Sequence, residues 1–237
     1  MGIFQPFAKP AGATRAGLVF LTWVGLFAAW IAFERSNAII PTPAEVAEAW
    51  RDLLQNGLLL RLWESYALNL QALAWATLGS FGLAYLAVVP AFRPLVKILS
   101  KLRFLGFTGI VFLFGLYAEG RSLQVVMLVF GTAVFFLTSM LAVVASVPED
   151  TVDYTRTLRP PPSRTAYETV ICGTLDQALD VLRQNAAIGW VMLTMVEGLV
   201  RSQGGIGVLL IDQNRRLNLA AVFAIQALII VGGVVRL

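Results

Sequence analysis

The chain has 237 residues, 58% hydrophobic and only 14% charged, with a formal net charge of +4 and a mean hydropathy of +0.75. That balance is too apolar for a soluble domain of this length and predicts a polytopic helical membrane protein, in which excess Lys and Arg marks cytoplasmic loops and not a nucleic-acid surface. There is no histidine and Cys172 is the one cysteine, which excludes an internal disulfide, a His/Cys metal site, an HExxH zinc helix and any Ser-His or Cys-His nucleophile pair.

Taken in order, the chain predicts six spans, each judged against the roughly 20 apolar residues that cross about 30 Å of hydrocarbon. Residues 1–15 form a polar cytoplasmic tail with Lys9 and Arg15, and 16–237 form one transmembrane domain. Span one covers 16–33; no cleavage-site pattern precedes it, so it reads as retained. In IIPTPAEV, Thr42 and Glu45 form a capping box over Pro43, opening a short amphipathic helix that runs to about Gln55 and ends at Asn56-Gly57. Span two covers 65–89 and stops at Pro90. The loop after it holds Arg93, Lys97, Lys101 and Arg103 and no acid. Span three covers 104–117, with Gly106, Gly109 and Gly115 suited to close helix packing, and span four covers 123–145.

Between spans four and five lies a polar elbow, Ser146 to Leu175. Glu149 and Asp150 near its start and Arg156 and Arg159 near its end complement the dipole of a short helix, which Pro160, Pro161 and Pro162 stop. Ser163 is placed to cap a second short helix reaching Cys172, and Gly173 breaks it. Such a segment is either an ordinary helical loop or a lever for a partner to push. Thr174 and Gln177 read as a capping box for span five, 175–200. Gly204-Gly205-Ile206-Gly207 is a turn with no strand before it to suggest a phosphate loop, and span six covers 217–235. With both termini in the cytoplasm, eleven of the eighteen Lys and Arg residues fall inside, the acid-free loop among them.

Span five is unusually polar. Arg183, Trp190, Thr194 and Glu197 recur at spacings that place them on one helix face, a stripe able to line a solute path. The competing reading has Arg183 snorkelling at the inner boundary and Glu197 bonding to a neighbouring helix. Trp23, Trp30, Trp63 and Trp75 read as interfacial anchors or packing residues, and Cys172 as a small packing residue. No Walker A sequence is present and no acid cluster lies at membrane depth, so the chain is read as no enzyme by itself.

Three stretches in one order, IIPTPAEVAEAW, TRTLRPPPSRTAYETVICGTL and NAAIGWVMLTMVEGLVRSQGGIGVLL, resemble the membrane permease subunits of ATP-binding-cassette importers, nearest the nitrate, sulfonate, taurine and bicarbonate branch. The resemblance covers nearly the whole chain. It implies an all-α, six-span, type I importer permease in the bacterial inner membrane, forming half of a pore with an identical or paralogous permease. It also implies ATPase subunits that bind ATP and Mg in place of any cofactor in this chain, an extracytoplasmic solute-binding protein, and an anion as solute, which Arg183 would suit. The elbow corresponds to the family's EAA loop, whose coupling helix docks on the ATPase. By that likeness Asp153, Tyr154, Thr155, Arg156, Thr157, Leu158 and Arg159 would be the coupling residues. Arg156, Thr157 and Leu158 match the family pattern. Asp153-Tyr154-Thr155 stands where the family has Glu-Ala-Ala, Arg159 replaces its glycine, the triple proline looks inserted, and Gly173 replaces a later proline. The other readings are a non-transporting scaffold of the same fold and, behind it, a secondary transporter, for which no inverted repeat or proton-relay set is evident.

Overall fold

The computed structural model describes residues 12–36, 40–157, 161–201 and 204–234, and among them every regular element is helical. In chain order they are α1 (Gly12–Ser36), α2 (Pro43–Gln55), α3 (Leu58–Leu86), α4 (Arg93–Lys101) with a 3₁₀ turn at Leu102–Phe104, α5 (Phe107–Gly115), α6 (Gly120–Ala145), α7 (Glu149–Thr157), α8 (Pro162–Thr165) running into a π-helix at Ala166–Cys172, α9 (Leu175–Leu199), α10 (Ile206–Arg215) and α11 (Leu219–Val234). By length and composition, α6 alone among the described helices is apolar enough throughout to cross a membrane. Two shorter apolar stretches, Gly17–Phe33 and Leu219–Gly233, accompany it.

The capping box at α2 forms as the sequence predicts: Thr42 Oγ1 accepts from the Glu45 N–H at 3.1 Å, and the Thr42 N–H donates to Glu45 Oε2 at 2.9 Å. Asn56 closes α2, and Gly57, at φ +81, turns the chain directly into α3. The second long helix therefore begins at Leu58, not Ser65, because Arg61 and Glu64 sit on the side of a continuing helix instead of ending it. The predicted basic loop is a helix too. In α4, Pro94 occupies the first turn, where its missing N–H costs nothing, and Val96 is wholly buried. The span expected at 104–117 shrinks to the nine residues of α5. Gly106, Gly109 and Gly115 have open space where a Cβ would stand, so they mark no close packing inside the chain.

The helix-packing glycines lie elsewhere. A Cβ on Gly131 of α6 would run into the Phe107 ring, and one on Gly189 of α9 would come within 3.1 Å of Thr132 Cγ2. α6 is the central helix, packed most extensively on α3 and α9, and it turns Leu123, Met127, Leu128, Phe136, Leu137 and Met140 inward. Three apolar clusters follow the bundle from end to end. At the α2 end, Leu53, Leu58, Ile206, Ala221 and Ile225 join α2, α3, α10 and α11; Leu68, Met127, Leu128, Trp190 and Leu193 form the middle; Ala84, Val96, Phe136, Met140 and Val181 close the elbow end. α1 stands apart with Phe20, Leu21, Trp23 and Leu26 all exposed, although Trp30 stacks on Phe223 of α11 and donates to the Pro41 carbonyl.

Two local expectations fail in the elbow. Ser163 caps nothing: Pro162 opens α8, which passes without a break into the π-helix, steadied by the Arg164–Glu168 pair at 2.7 Å. Thr174 does not cap α9 either. Its hydroxyl donates to the Val170 carbonyl at 2.6 Å, so the wide π turn takes the group that a capping box needs, and Gln177 is left to accept from Ser146. Cys172 is exposed, not packed. Leu158, Arg159 and Pro160 lie outside the described residues.

Candidate functional site

Two groups of residues are candidates, one at each end of the bundle. At the elbow end, α7 follows α6 after three residues and carries acids in its first turn as the dipole favours. Asp153 and Thr157 are exposed, Tyr154 is 72% exposed, and Thr155 is half-buried. Thr155 Oγ1 donates to the Thr151 carbonyl and accepts from Thr169 Oγ1 at 3.1 Å, which ties α7 to the π-helix. Arg156 belongs to α7, while Leu158 and Arg159 fall outside the described residues. Beside α7 lies a polar cleft of about 550 Å³ lined by Arg93, Glu149, Val152, Asp153 and Val170. The elbow is thus an exposed, mainly polar ridge held to the ends of α6 and α9.

The span-five stripe resolves into residues in different surroundings. Arg183 is exposed. Trp190 is buried, its Nε1 donating to the Ile229 carbonyl of α11 at 2.8 Å and its ring 4.7 Å from that of Tyr66. Thr194 is half-buried and returns its hydroxyl to the Val191 carbonyl. Glu197 is 1% exposed and accepts from Ser65 Oγ of α3 at 2.6 Å and from the Gly207 N–H of α10 at 2.7 Å. Ser65 in turn accepts from the Ile206 N–H at 2.9 Å. The carboxylate and the hydroxyl together satisfy two N–H groups at the start of α10 that no carbonyl of that helix can reach.

The glycines of the GGIG turn make this clasp sterically possible. Gly205 has φ +124, and a Cβ there would lie 2.5 Å from the Glu197 carboxyl carbon. A Cβ on Gly207 would press on the Thr194 carbonyl and stand 2.8 Å from Glu197 Cβ. The turn is therefore a receptor for a buried carboxylate as well as a reversal of direction. Its second half was missed as α10, a ten-residue helix folded back along α9. The sequence held one signal for it: an acid seven residues before Gly204, alone in charge between Arg183 and Arg201.

Two further contacts hold the same corner. Gln124 of α6 donates to the Val200 carbonyl at the end of α9, and Arg201 pairs with Asp212 of α10. The Arg201–Asp212 pair is more than a third exposed on both sides, so screening keeps it under about 1 kcal/mol. Arg201→Ala is expected to leave the thermal unfolding midpoint within about 3 °C of wild type. Deeper in the bundle Asn69 of α3, Thr132 of α6 and Asn185 of α9 are also buried, and Asn69 and Thr132 both come within 4 Å of where a Cβ on Gly189 would stand. No group of three or more His, Cys, Asp or Glu able to hold a metal occurs among the described residues.

Chemically, Glu197 is placed to hold helices together. Each of its oxygens accepts one buried hydrogen bond, from Ser65 on α3 and from Gly207 on α10, so the carboxylate ties α9 to both neighbouring helices. The structure buries Trp190 in the middle cluster and Glu197 against the start of α10, leaves Thr194 half-buried between them, and exposes Arg183. Compared with known proteins, the chain matches no family model, and no curated protein matches it.

Proposed function

We propose that the chain is the transmembrane permease subunit of an ATP-binding-cassette importer, one half of a path for a small anionic solute in the bacterial inner membrane. The observation that supports this best is the elbow. A short exposed helix, α7, and a π-helix are bonded to each other through Thr155 and Thr169 and join the adjacent ends of α6 and α9, which pack on each other. A push delivered to α7 would reach both helices at once. Asp153 to Arg159 are the proposed contact with the ATPase subunit, in line with the family likeness of this stretch.

In this reading α1, α3, α6, α9 and α11 are five of six spans. α3 and α9, with 29 and 25 residues, are long enough at about 1.5 Å per residue, and their polar side chains Ser65, Asn69, Asn185 and Glu197 are turned inward. The exposed apolar surface of α1 fits lipid or a second permease. The remaining crossing falls to α5, which at nine residues needs its flanking turns to complete it.

The test is co-purification of the chain with its ATPase, cross-linking from position 154, and solute uptake in vesicles. Cysteine labelling in a Cys172→Ser background gives the topology. Positions 97 and 159 are expected to be shielded from an impermeant reagent in intact cells, and positions 55, 119 and 203 to react. Labelling of 97 from outside would reverse the orientation. Equal protection of 97 and 119 would remove α5 as a span.

A further inference from the structure

α4 divides its surface into three parts. One faces the bundle: Val96 is wholly buried against α6 and Leu99 packs beside it. At 100° per residue, Lys97 and Lys101 fall on one flank of that buried line and Leu95 and Ile98 on the other. Leu95 is 51% and Ile98 62% exposed, and the turn that follows adds exposed Arg103 and Phe104, the guanidinium lying 4.8 Å from the ring centre. No acid occurs from Arg93 to Leu105, and none of Lys97, Lys101 and Arg103 forms an ion pair with a described residue. Arg93 faces Glu149 and Asp153 across the elbow cleft and is left out of the argument for that reason. The axis of α4 and its turn is bent by 113° from that of α5. If α5 runs across the bilayer, α4 therefore lies close to the membrane plane.

From this arrangement we propose that α4 and its turn are a docking surface for anionic phospholipid. Lys97, Lys101 and Arg103 lie among the headgroups, and Leu95, Ile98 and Phe104 among the upper acyl chains. A basic flank beside an apolar flank, on a helix lying in the plane, is the pattern by which interfacial helices seat themselves. An acidic protein partner would account for the cations but leave Leu95 and Ile98 in water. The inference rests on the membrane reading above and adds a lipid specificity to it. Its consequence is mechanical: α4 packs on α6 beside the elbow, so anchoring α4 gives α7 a fixed base to move against.

The experiment uses the full-length chain in mild detergent, titrated with mixed micelles of phosphatidylglycerol or phosphatidylcholine and followed by its thermal unfolding midpoint. Each basic residue near an anionic surface is worth about fivefold in affinity. The Lys97→Gln, Lys101→Gln, Arg103→Gln variant is therefore expected to need at least about tenfold more phosphatidylglycerol for the same shift, with an unchanged midpoint in phosphatidylcholine. Leu95→Ser with Ile98→Ser should also weaken the response, and inorganic phosphate should produce none. An equal phosphatidylglycerol response in wild type and the triple variant overturns the proposal. So does an equal shift from phosphate, or loss of a co-purifying acidic protein from the triple variant while its lipid response persists. A chain that enters no phosphatidylcholine vesicle at all overturns the membrane reading with it.

Discussion

Glu197→Ala is expected to destabilise the protein by about 2–5 kcal/mol. The carboxylate accepts two buried hydrogen bonds, from Ser65 Oγ and the Gly207 N–H, and a buried donor left without its acceptor costs about 1–3 kcal/mol. At about 2–4 °C per kcal/mol for a chain of this size, the thermal midpoint should fall by roughly 5–15 °C. Solute uptake per folded complex should stay near that of wild type. A variant of normal stability with lost uptake would return Glu197 to the translocation path.

Gly205→Ala tests the other half of the clasp. At φ +124 an L residue is strained by about 1–3 kcal/mol, and its Cβ meets the carboxyl carbon at 2.5 Å as well. The loss should match or exceed that of Glu197→Ala. Gly204→Ala is the control, because its Cβ meets only Glu64 Oε2, the movable end of a long side chain, at 2.9 Å. Combining Glu197→Ala with Gly205→Ala should cost less than the sum of the two, since removing the carboxylate removes the clash.

What the sequence makes legible follows the range of the interaction. The Thr42–Glu45 box is readable because donor and acceptor are three residues apart and no distant group competes. The same pattern at Thr174–Gln177 fails because the π-helix before it gives the Thr174 hydroxyl another acceptor, and nothing in residues 166–172 announces a π turn. The cations Arg93, Lys97 and Lys101 make α4 read as a loop, although Val96 and Leu99 at helical spacing carry it onto α6. The Glu197 clasp shows both limits. An acid followed by GGIG is visible in the chain, but Ser65 lies 132 residues away and no periodicity links the two. The stripe on α9 was geometrically correct as a helix face. It fails to predict a common environment because α10 folds back over its α2-end half alone, burying Glu197 and leaving Arg183 exposed.

The elbow carries the largest expected effect on activity. Replacing Pro160, Pro161 and Pro162 with glycine should leave ATP hydrolysis running while solute moved per ATP falls roughly fivefold or more. Proline fixes φ, and Pro162 opens α8 while the Pro161 carbonyl accepts from the Arg164 N–H at 2.9 Å, so the link into the π-helix is stiff. Three glycines return about 1–3 kcal/mol of conformational freedom to that link, enough to absorb a push on α7 before it reaches α9. Thr169→Val should act in the same direction and more weakly. It cuts the Thr169–Thr155 side-chain bond between the π-helix and α7, in a partly buried place where the stability cost stays near 1 kcal/mol. Both variants are read by ATPase activity and uptake measured on one reconstituted complex. Unchanged uptake per ATP in the triple-glycine variant, with position 154 failing to cross-link to the ATPase, would reduce the elbow to a loop. Uptake lost together with cross-linking would mean that the prolines secure docking itself, and the push would then have to enter the bundle elsewhere.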